Sequence, residues 1–208
     1  EYGKLIVNID GKPNIEISLI AEKNIKKINP LFRTFAAIKY LIFGTSLDEK
    51  NNGLFISFEG PEASGKSSQI NLLKNYLIKN KISFLVTREP GGTEIAEKLR
   101  KIILNKKYNI SYLEEILLLM SSRSHHINTK ILPALKKGKF VICDRFADST
   151  FVYQGFVTGF GIQKTQYLHK VILNNFLPNK TFLFELSSKE IISRLKNRKI
   201  KNKYDKNE

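Results

Sequence analysis

The sequence predicts an α/β domain in which a parallel sheet carries helices on both faces. Apolar runs of strand length occur at 54–58, 82–87, 139–143 and 181–186. Helix-period patterns alternate with them at 66–80, 92–104, 112–137 and 164–176. This alternation is typical of βαβ units and hence of a doubly wound sheet. A glycine-rich loop after the first run and an aspartate after the third indicate that the carboxyl edge of the sheet carries the chemistry.

The first fifty residues follow a different pattern. Apolar and polar residues alternate over residues 1–20 around Asp10-Gly11, which predicts a β-hairpin. An amphipathic helix is predicted at 31–43, with an apolar face made of Leu31, Phe35, Ile38 and Ile42. The polar stretch 45–52 is typical of a linker. We therefore predict a boundary near residue 50, with an appendage at 1–50 and the α/β domain at 53–208.

The composition argues against several classes of partner. The net charge of +16 comes from 35 basic and 19 acidic residues, but only 7 of the basic residues are arginine. The lysines are dispersed and form no basic stripe with interleaved aromatics, so we expect no nucleic-acid partner. No apolar stretch approaches the ~20 residues that span a bilayer. A single cysteine, Cys143, fits a reducing cytoplasm.

The glycine-rich loop matches the pattern G-x-x-x-x-G-K-S/T. Its glycines let the backbone wrap around a polyphosphate, and the helix that follows adds its positive dipole end. Lys66 is placed to bridge the β- and γ-phosphates of ATP, and Ser67 to ligate Mg²⁺. The predicted ATP-binding residues are Gly60, Pro61, Glu62, Ala63, Ser64, Gly65, Lys66, Ser67 and Ser68.

An apolar strand at 139–143 ends in Asp144. A carboxylate at the carboxyl edge of the sheet, beside a phosphate loop, can hold Mg²⁺ directly or through water. We therefore predict Ser67 and Asp144 as the metal site, and we expect the Cys143 side chain to point into the core.

Three segments downstream of the loop resemble the bacterial thymidylate kinases. They are Thr-Arg-Glu-Pro-Gly-Gly-Thr at 87–93, Asp-Arg-Phe at 144–146, and the stretch from Ser149 to Tyr-Gln-Gly at 153–155. Their order and spacing match the family over residues 53–208. The resemblance implies a P-loop fold of the nucleoside monophosphate kinase type. It also implies transfer of the γ-phosphoryl group of Mg-ATP to dTMP, which gives dTDP for dTTP synthesis, and a homodimer.

The resemblance also implies how the sugar and phosphate of dTMP are held. Glu62 lies where the family has a carboxylate that hydrogen-bonds the 3′-hydroxyl of the deoxyribose. Arg88 and Arg145 match residues that hold the acceptor phosphate, and guanidinium forks suit a dianion. A surface ion pair is the alternative reading of Arg88.

For the base, the resemblance implies a pocket formed by two segments. Arg123 matches an arginine that reads a thymine carbonyl, and Ser149, Tyr153 and Gln154 match the pocket wall. Leu119 stands where the family commonly stacks thymine on a phenylalanine, so a ring–ring contact of about 0.5–1.5 kcal/mol is missing. Arg123 in a surface ion pair and Tyr153 in the core are the alternatives.

Residues 194–208 resemble the mobile lid of the family. Some members place a catalytic arginine in the phosphate loop and others supply it from the lid; here the loop position is Ala63. We therefore expect the lid to supply the charge, through Arg198 or, failing that, Lys201 or Lys203. A solvated basic helix is the alternative. Family members continue past the lid with a last strand and helix, so the resemblance also implies an uncovered sheet edge. The predicted catalytic residues are Lys66, Asp144, Arg145 and Arg198.

Residues 1–46 resemble the C-terminal tail of a D-alanyl-D-alanine carboxypeptidase, whose last helix associates with membranes; an unrelated N-terminal extension is the alternative. The resemblance rests on 2–7, Asp10-Gly11, 18–21 and the helix at 32–43. None of that family's catalytic motifs is present, so it implies weak membrane association of 31–43 and no peptidase activity. Two alternatives to the main function stay open: a P-loop kinase for another nucleoside monophosphate, or an inactive fusion fragment that binds nucleotide.

Overall fold

The structure is a computed structural model that describes residues 4–8, 15–18, 30–43, 53–105 and 107–196. The strands are β1 (Lys4–Asn8), β2 (Ile15–Ser18), β3 (Phe55–Glu59), β4 (Phe84–Arg88), β5 (Phe140–Asp144) and β6 (Lys180–Leu183). The α-helices are α1 (Pro30–Phe43), α2 (Lys66–Lys79), α3 (Glu94–Leu104), α4 (Tyr112–His126), α5 (Leu132–Lys136), α6 (Ala147–Thr150), α7 (Ile162–Leu173) and α8 (Ser188–Lys196). Two π-helical turns lie at Ile127–Ile131 and Phe151–Val157.

The predicted parallel sheet is confirmed. Its strand order is β2-β1-β6-β3-β5-β4, and the last four strands in that order run parallel. The register pairs Asp144 with Phe58 on one side and with Arg88 on the other. The carboxyl ends of β3, β4 and β5 therefore meet at one edge, where parallel α/β sheets bind their ligands.

Alternating side chains of the central strands pack into two cores. Phe55, Val141 and Cys143 lie on one face with α4 and α7, and Ile56, Phe58 and Ile142 lie on the other with α2. Every residue of β3 is buried. This burial on both faces is the physical reason that the strands read as continuous apolar runs. Cys143 is fully buried, as expected.

The N-terminal hairpin and helix form as predicted, and both lie against the α/β sheet. β1 pairs antiparallel with β2 and also with β6, where Val7 is opposite Phe182. The prediction of an uncovered edge is therefore wrong at β6. In α1, Ile38 and Ile42 are completely buried beside α2. The predicted linker at 45–52 lies outside the described residues, and the boundary near residue 50 stays a prediction.

The segment 147–157 is helical, which the sequence analysis did not predict. α6 continues directly into the second π-helical turn, which ends in the Thr158-Gly159 region. The segment contains Gly155 and lacks a clean apolar period, so the sequence indicates a helix there only weakly.

In the described part of the chain, no helix is both long and apolar enough to cross a membrane.

Candidate active site

The glycine-rich loop connects β3 to α2 and turns on two left-handed glycines. Gly60 has φ 131° and Gly65 has φ 96°, conformations that glycine adopts without steric cost. A Cβ on Gly60 would also lie 2.3 Å from the backbone oxygen of Phe184. Gly65 caps α2 without a side-chain hydrogen bond, so the first N–H groups of the helix remain available to an anion.

Lys66 is folded over the loop that precedes it. Its Nζ donates to the backbone oxygens of Gly60 at 2.9 Å and Pro61 at 2.7 Å. Burial and, to a lesser extent, the positive charge of Arg145 lower the pKa of Lys66 to about 8, against the opposing effect of Asp144. A polyphosphate in the loop would replace these carbonyls as the partner of a charged ammonium group.

Asp144 and Ser67 fit a hydrated divalent cation. The Oδ1 atom of Asp144 is buried and, among the described residues, has no hydrogen-bond partner, so an oxygen ligand site is free there. Burial raises the pKa of Asp144, and the nearby Lys66 opposes the rise. Within the described residues no three His, Cys, Asp or Glu side chains form a metal cluster. Mg²⁺ would suit the oxygens of Ser67 and Asp144, because it binds through one or two protein oxygens together with phosphates and water.

Arg145 is held in place by a network around the start of the loop. Its backbone is left-handed, with φ 69°, and its guanidinium group donates to Glu62 and Ser149 at 3.1 Å each. The buried Glu59 accepts from the backbone N–H of Phe146 at 2.5 Å and from the Ser149 hydroxyl at 2.6 Å. Burial raises the pKa of Glu59 to about 7, against these hydrogen bonds. Glu59 thus clamps the segment on which Arg145 sits.

A buried charge network holds Arg123. Its Nε donates to Glu89 at 2.5 Å, and its Nη2 donates to the Thr150 hydroxyl at 2.8 Å. Glu89 also contacts His126 Nδ1 at 3.0 Å. The Nη1 atom of Arg123 is buried and, in the described part of the chain, has no partner. An unpaired buried donor is costly, so this nitrogen is suited to an oxygen of a bound ligand. The alternative of a surface ion pair is wrong for Arg123.

A cavity of about 480 Å³ joins the loop to these networks. Leu119 and Gln154 are buried in its wall, and Tyr153 is half-buried with the Arg145 guanidinium carbon 5.5 Å from its ring centre. The cavity is lined by every predicted site residue except Gly60, Pro61 and Arg198. Gly60 and Pro61 line an adjoining cavity, and Arg198 lies outside the described residues.

Arg88 and Arg194 take up positions at the rim. Arg88 is exposed and forms an ion pair with Glu97 of α3 at 3.0 Å, although it also lines the cavity. This pairing agrees with the alternative reading, and its role in holding the acceptor phosphate stays a prediction. From α8, Arg194 Nη1 donates to the backbone oxygen of Ala63 at 3.1 Å. The first residue of the predicted lid therefore contacts the phosphate loop.

Three buried carboxylates of the site were missed by the sequence analysis. They are Glu59, Glu89 and Glu115, each of which orients a cavity residue. Glu59 ends an otherwise apolar strand, which is a usable signal. Glu115 lies among the apolar residues of α4, which is a weaker signal because charged residues usually face solvent. Glu89 lies in the recognised motif at 87–93, but its partners Arg123 and His126 are distant in sequence, so no local pattern indicates the contact.

The phosphate loop, the partnerless aspartate oxygen and the adjoining arginine-lined cavity define a P-loop phosphotransferase of the nucleotide kinase type. A family model described as thymidylate kinase matches residues 58–208. The chain therefore belongs to the thymidylate kinase family, as the resemblance predicted.

Individual relatives agree with this assignment. A thymidylate kinase from Thermoanaerobacter sp. (strain X514) is 44% identical over 142 residues, covering 68% of this chain and 70% of that protein. One from Caldanaerobacter subterraneus is 42% identical over 147 residues, or 71% of each chain. The crystal structure of thymidylate kinase from Ehrlichia chaffeensis superposes with a TM-score of 0.59 at 35% identity, covering 70% of this chain and 83% of that one. None of these matches addresses the resemblance of residues 1–46 to a carboxypeptidase tail.

Proposed function

We propose that this protein transfers the γ-phosphoryl group of ATP to dTMP, giving dTDP in dTTP synthesis. The observation that carries the proposal is the single cavity of about 480 Å³ that joins a phosphate loop to a buried, partly unpaired arginine. One end of the cavity suits a polyphosphate and the other suits a hydrogen-bonding base. Membership of the thymidylate kinase family favours dTMP over other acceptors.

The donor side of the reaction needs positioning and charge neutralisation more than covalent chemistry. The loop N–H groups and Lys66 hold the β- and γ-phosphates of ATP. Ser67 and Asp144 hold Mg²⁺, which when bound neutralises charge on the phosphate oxygens. No general base is required, because the acceptor phosphate is already ionised.

The acceptor side is held by separate groups. Arg88 and Arg145 bind the dTMP phosphate, and binding requires Arg88 to exchange Glu97 for that phosphate. Glu62 accepts from the 3′-hydroxyl of the sugar. Arg123 donates to a thymine carbonyl, and Ser149, Tyr153, Gln154 and Leu119 complete the pocket.

The lid supplies the remaining positive charge. We expect Arg198 to reach the transferring phosphoryl group, since Ala63 leaves the loop without an arginine. The contact of Arg194 with Ala63 supports a lid that closes over the loop. Arg198→Ala is expected to lower kcat about 100-fold, as for other groups that stabilise transition-state charge. Arg194→Ala is the matched comparison; a larger loss there would give the catalytic role to Arg194.

The test of the function is ADP release from Mg-ATP in the presence of dTMP, dUMP, dCMP, dGMP or AMP, with Lys66→Ala as the blank. We expect turnover with dTMP. Turnover with a different acceptor alone would support the alternative nucleoside monophosphate kinase. Nucleotide binding without turnover on any acceptor would support the inactive fragment instead.

We also propose that the enzyme is a cytoplasmic homodimer. Exposed apolar side chains line the neighbouring helices α4 and α7: Leu113, Leu117, Tyr167 and Val171, with 46–66% of each exposed. Such a row is suited to burial between two copies. A monomer by light scattering at micromolar concentration would contradict this. The buried thiol of Cys143 is compatible with a reducing cytoplasm.

Residues 53–208 are proposed as the kinase unit and 1–50 as an addition that packs on it. The complete burial of Ile38 and Ile42 supports packing, and it leaves less of that helix face for the expected membrane contact. Ile38→Ala is expected to lower the free energy of unfolding by about 2–5 kcal/mol. Ile78→Ala, at an exposed position of α2, is the control and should change it by about 0.5 kcal/mol or less. Equal changes in the free energy of unfolding for the two variants would mean that α1 does not pack on the core.

A further inference from the structure

A buried hydrogen bond joins α4 to the second π-helical turn behind the nucleotide cavity. Gln154 Nε2 donates to Glu115 Oε1 at 2.7 Å. Both side chains are buried, with 4% and 6% exposed. Gln154 lines the cavity that contains the phosphate loop, whereas Glu115 lines the adjoining cavity and not this one. Glu115 can therefore influence a bound nucleotide through Gln154.

The chemistry of the pair fixes which way the amide of Gln154 points. An ionised carboxylate only accepts hydrogen bonds, whereas an amide donates through nitrogen and accepts through oxygen. The amide nitrogen of Gln154 must therefore point towards Glu115. In the described part of the chain, the Gln154 side chain forms this one hydrogen bond, through its nitrogen. The oxygen is the amide atom left for the cavity.

Arg123 lines the same cavity and has one donor nitrogen left for a ligand. Arg123 uses Nε and Nη2 on Glu89, Phe146 and Thr150, so only Nη1 is left, buried and partnerless among the described residues. Its charge allows it to donate and never to accept. The base end thus presents one fixed donor, from Arg123, and one fixed acceptor, from Gln154.

We infer that Glu115 is a positioning residue that locks the Gln154 amide, so that the site selects bases with a ring N–H beside a carbonyl. This inference rests on the proposed function and adds to it a residue that orients one of the base-binding side chains without touching the base. A 4-oxopyrimidine offers the carbonyl to Arg123 and the N3–H to Gln154. Cytosine presents an unprotonated N3 and an amino group, which place acceptor against acceptor and donor against donor. A site built to pair polar groups rejects such a mismatch strongly.

The test compares dTMP with dCMP in the full chain and in Glu115→Gln. A glutamine at 115 both donates and accepts, so the Gln154 amide is free to turn over. We expect the ratio of kcat/KM for dTMP over dCMP to fall about 10- to 100-fold, with a loss for dTMP and a gain for dCMP. Glu114→Gln is the control, because Glu114 is exposed and glutamine preserves its capping role; the ratio should not change.

A double variant, Glu115→Gln with Gln154→Glu, restores the hydrogen bond between an amide and a carboxylate, with the amide now at position 115 and the carboxylate at position 154. The new amide donates to the new carboxylate, which keeps an acceptor oxygen for the cavity, so discrimination should recover at least in part. If Glu115→Gln lowers kcat/KM equally for both acceptors, Glu115 only fastens α4 to the turn and the inference is overturned.

Equilibrium binding of dTMP and dCMP by calorimetry separates the inference from the proposed function. Should the wild-type chain bind nucleotides without turnover, the proposed function fails, but the ratio of the two dissociation constants still decides the role of Glu115. A ratio that falls in Glu115→Gln supports the inference, and an unchanged ratio overturns it. Binding of neither nucleotide by the wild-type chain overturns both.

Discussion

The two ends of the nucleotide cavity are built in different ways. The phosphate end consists of a loop and a helix start that lie within eight consecutive residues, 60–67, and it offers the backbone N–H groups of the helix start together with Lys66. The base end depends on buried side-chain pairs between residues distant in sequence: Glu89 with Arg123, and Glu115 with Gln154, are 34 and 39 positions apart. A binding site for phosphate is therefore encoded locally in the sequence, whereas a binding site for a base depends on how the helices pack.

The largest expected effect tests the phosphate end. Lys66→Ala should lower kcat about 10³-fold for every acceptor, because a charge that acts on the transferring phosphoryl group is lost. The ratio of activities between acceptors should stay constant. Steady-state kinetics with dTMP and dUMP measure both quantities. A change in the ratio would mean that the two ends are not independent.

A second variant tests the base end in the same terms. Glu89→Gln leaves the buried Arg123 charge without its carboxylate, and breaking a buried pair in this way costs about 3–5 kcal/mol of stability. We expect kcat/KM for dTMP to fall about 100-fold, mainly through KM, together with a clear drop in melting temperature. Glu94→Gln removes an exposed ion pair with Lys98 and is the control, with little expected change in either. A loss confined to kcat would mean that Glu89 affects phosphoryl transfer and not binding of the base.

Glu59 lies between the two ends and should affect both. In Glu59→Gln the amide oxygen can still accept from the Phe146 N–H, but the amide nitrogen can only donate, so the Ser149 hydroxyl must turn from donor to acceptor. The segment that carries Arg145 then loses a charge-assisted hydrogen bond. We expect kcat/KM for dTMP to fall about 10-fold, within the range for one lost hydrogen bond to a charged group. Initial-rate kinetics measure this. Unchanged kinetics would show that Arg145 keeps its position without Glu59.

A pH dependence of similar size is expected at the phosphate end. Burial lowers the pKa of Lys66 to about 8, so the ammonium form of the free protein declines as pH rises through 8. We expect kcat/KM for ATP to fall about 10-fold between pH 7 and pH 9, since this parameter reports the free enzyme. Lys66→Arg keeps its charge over this range and should remove the decline. A profile of the same shape in that variant would assign the pKa to another group.

Much of the fold could be predicted because its determinants are local or periodic. The parallel strands are buried on both faces, so each reads as an apolar run, and the predicted runs at 54–58 and 139–143 match β3 and β5 to within one residue. The hairpin at the N-terminus and helix α1 were also recognised from their periods. Their packing was not, because nothing in an amphipathic pattern states which surface covers it: α1 lies on α2, and β1 lies on β6.

By itself the sequence determined the class of the protein, since the loop chemistry requires certain residue types at fixed spacing, and the motifs of one family follow it in order. Most of the predicted site residues also line the cavity, although Glu89, Arg100 and Thr150 line it too and were not predicted. The folded structure was needed to show which buried carboxylates hold this site: Glu59 binds Phe146 and Ser149 beside Arg145, Glu89 binds Arg123, and Glu115 binds Gln154. The physical reason is that a buried charge is tolerated only beside its partner, and that partner is supplied by another segment of the folded chain.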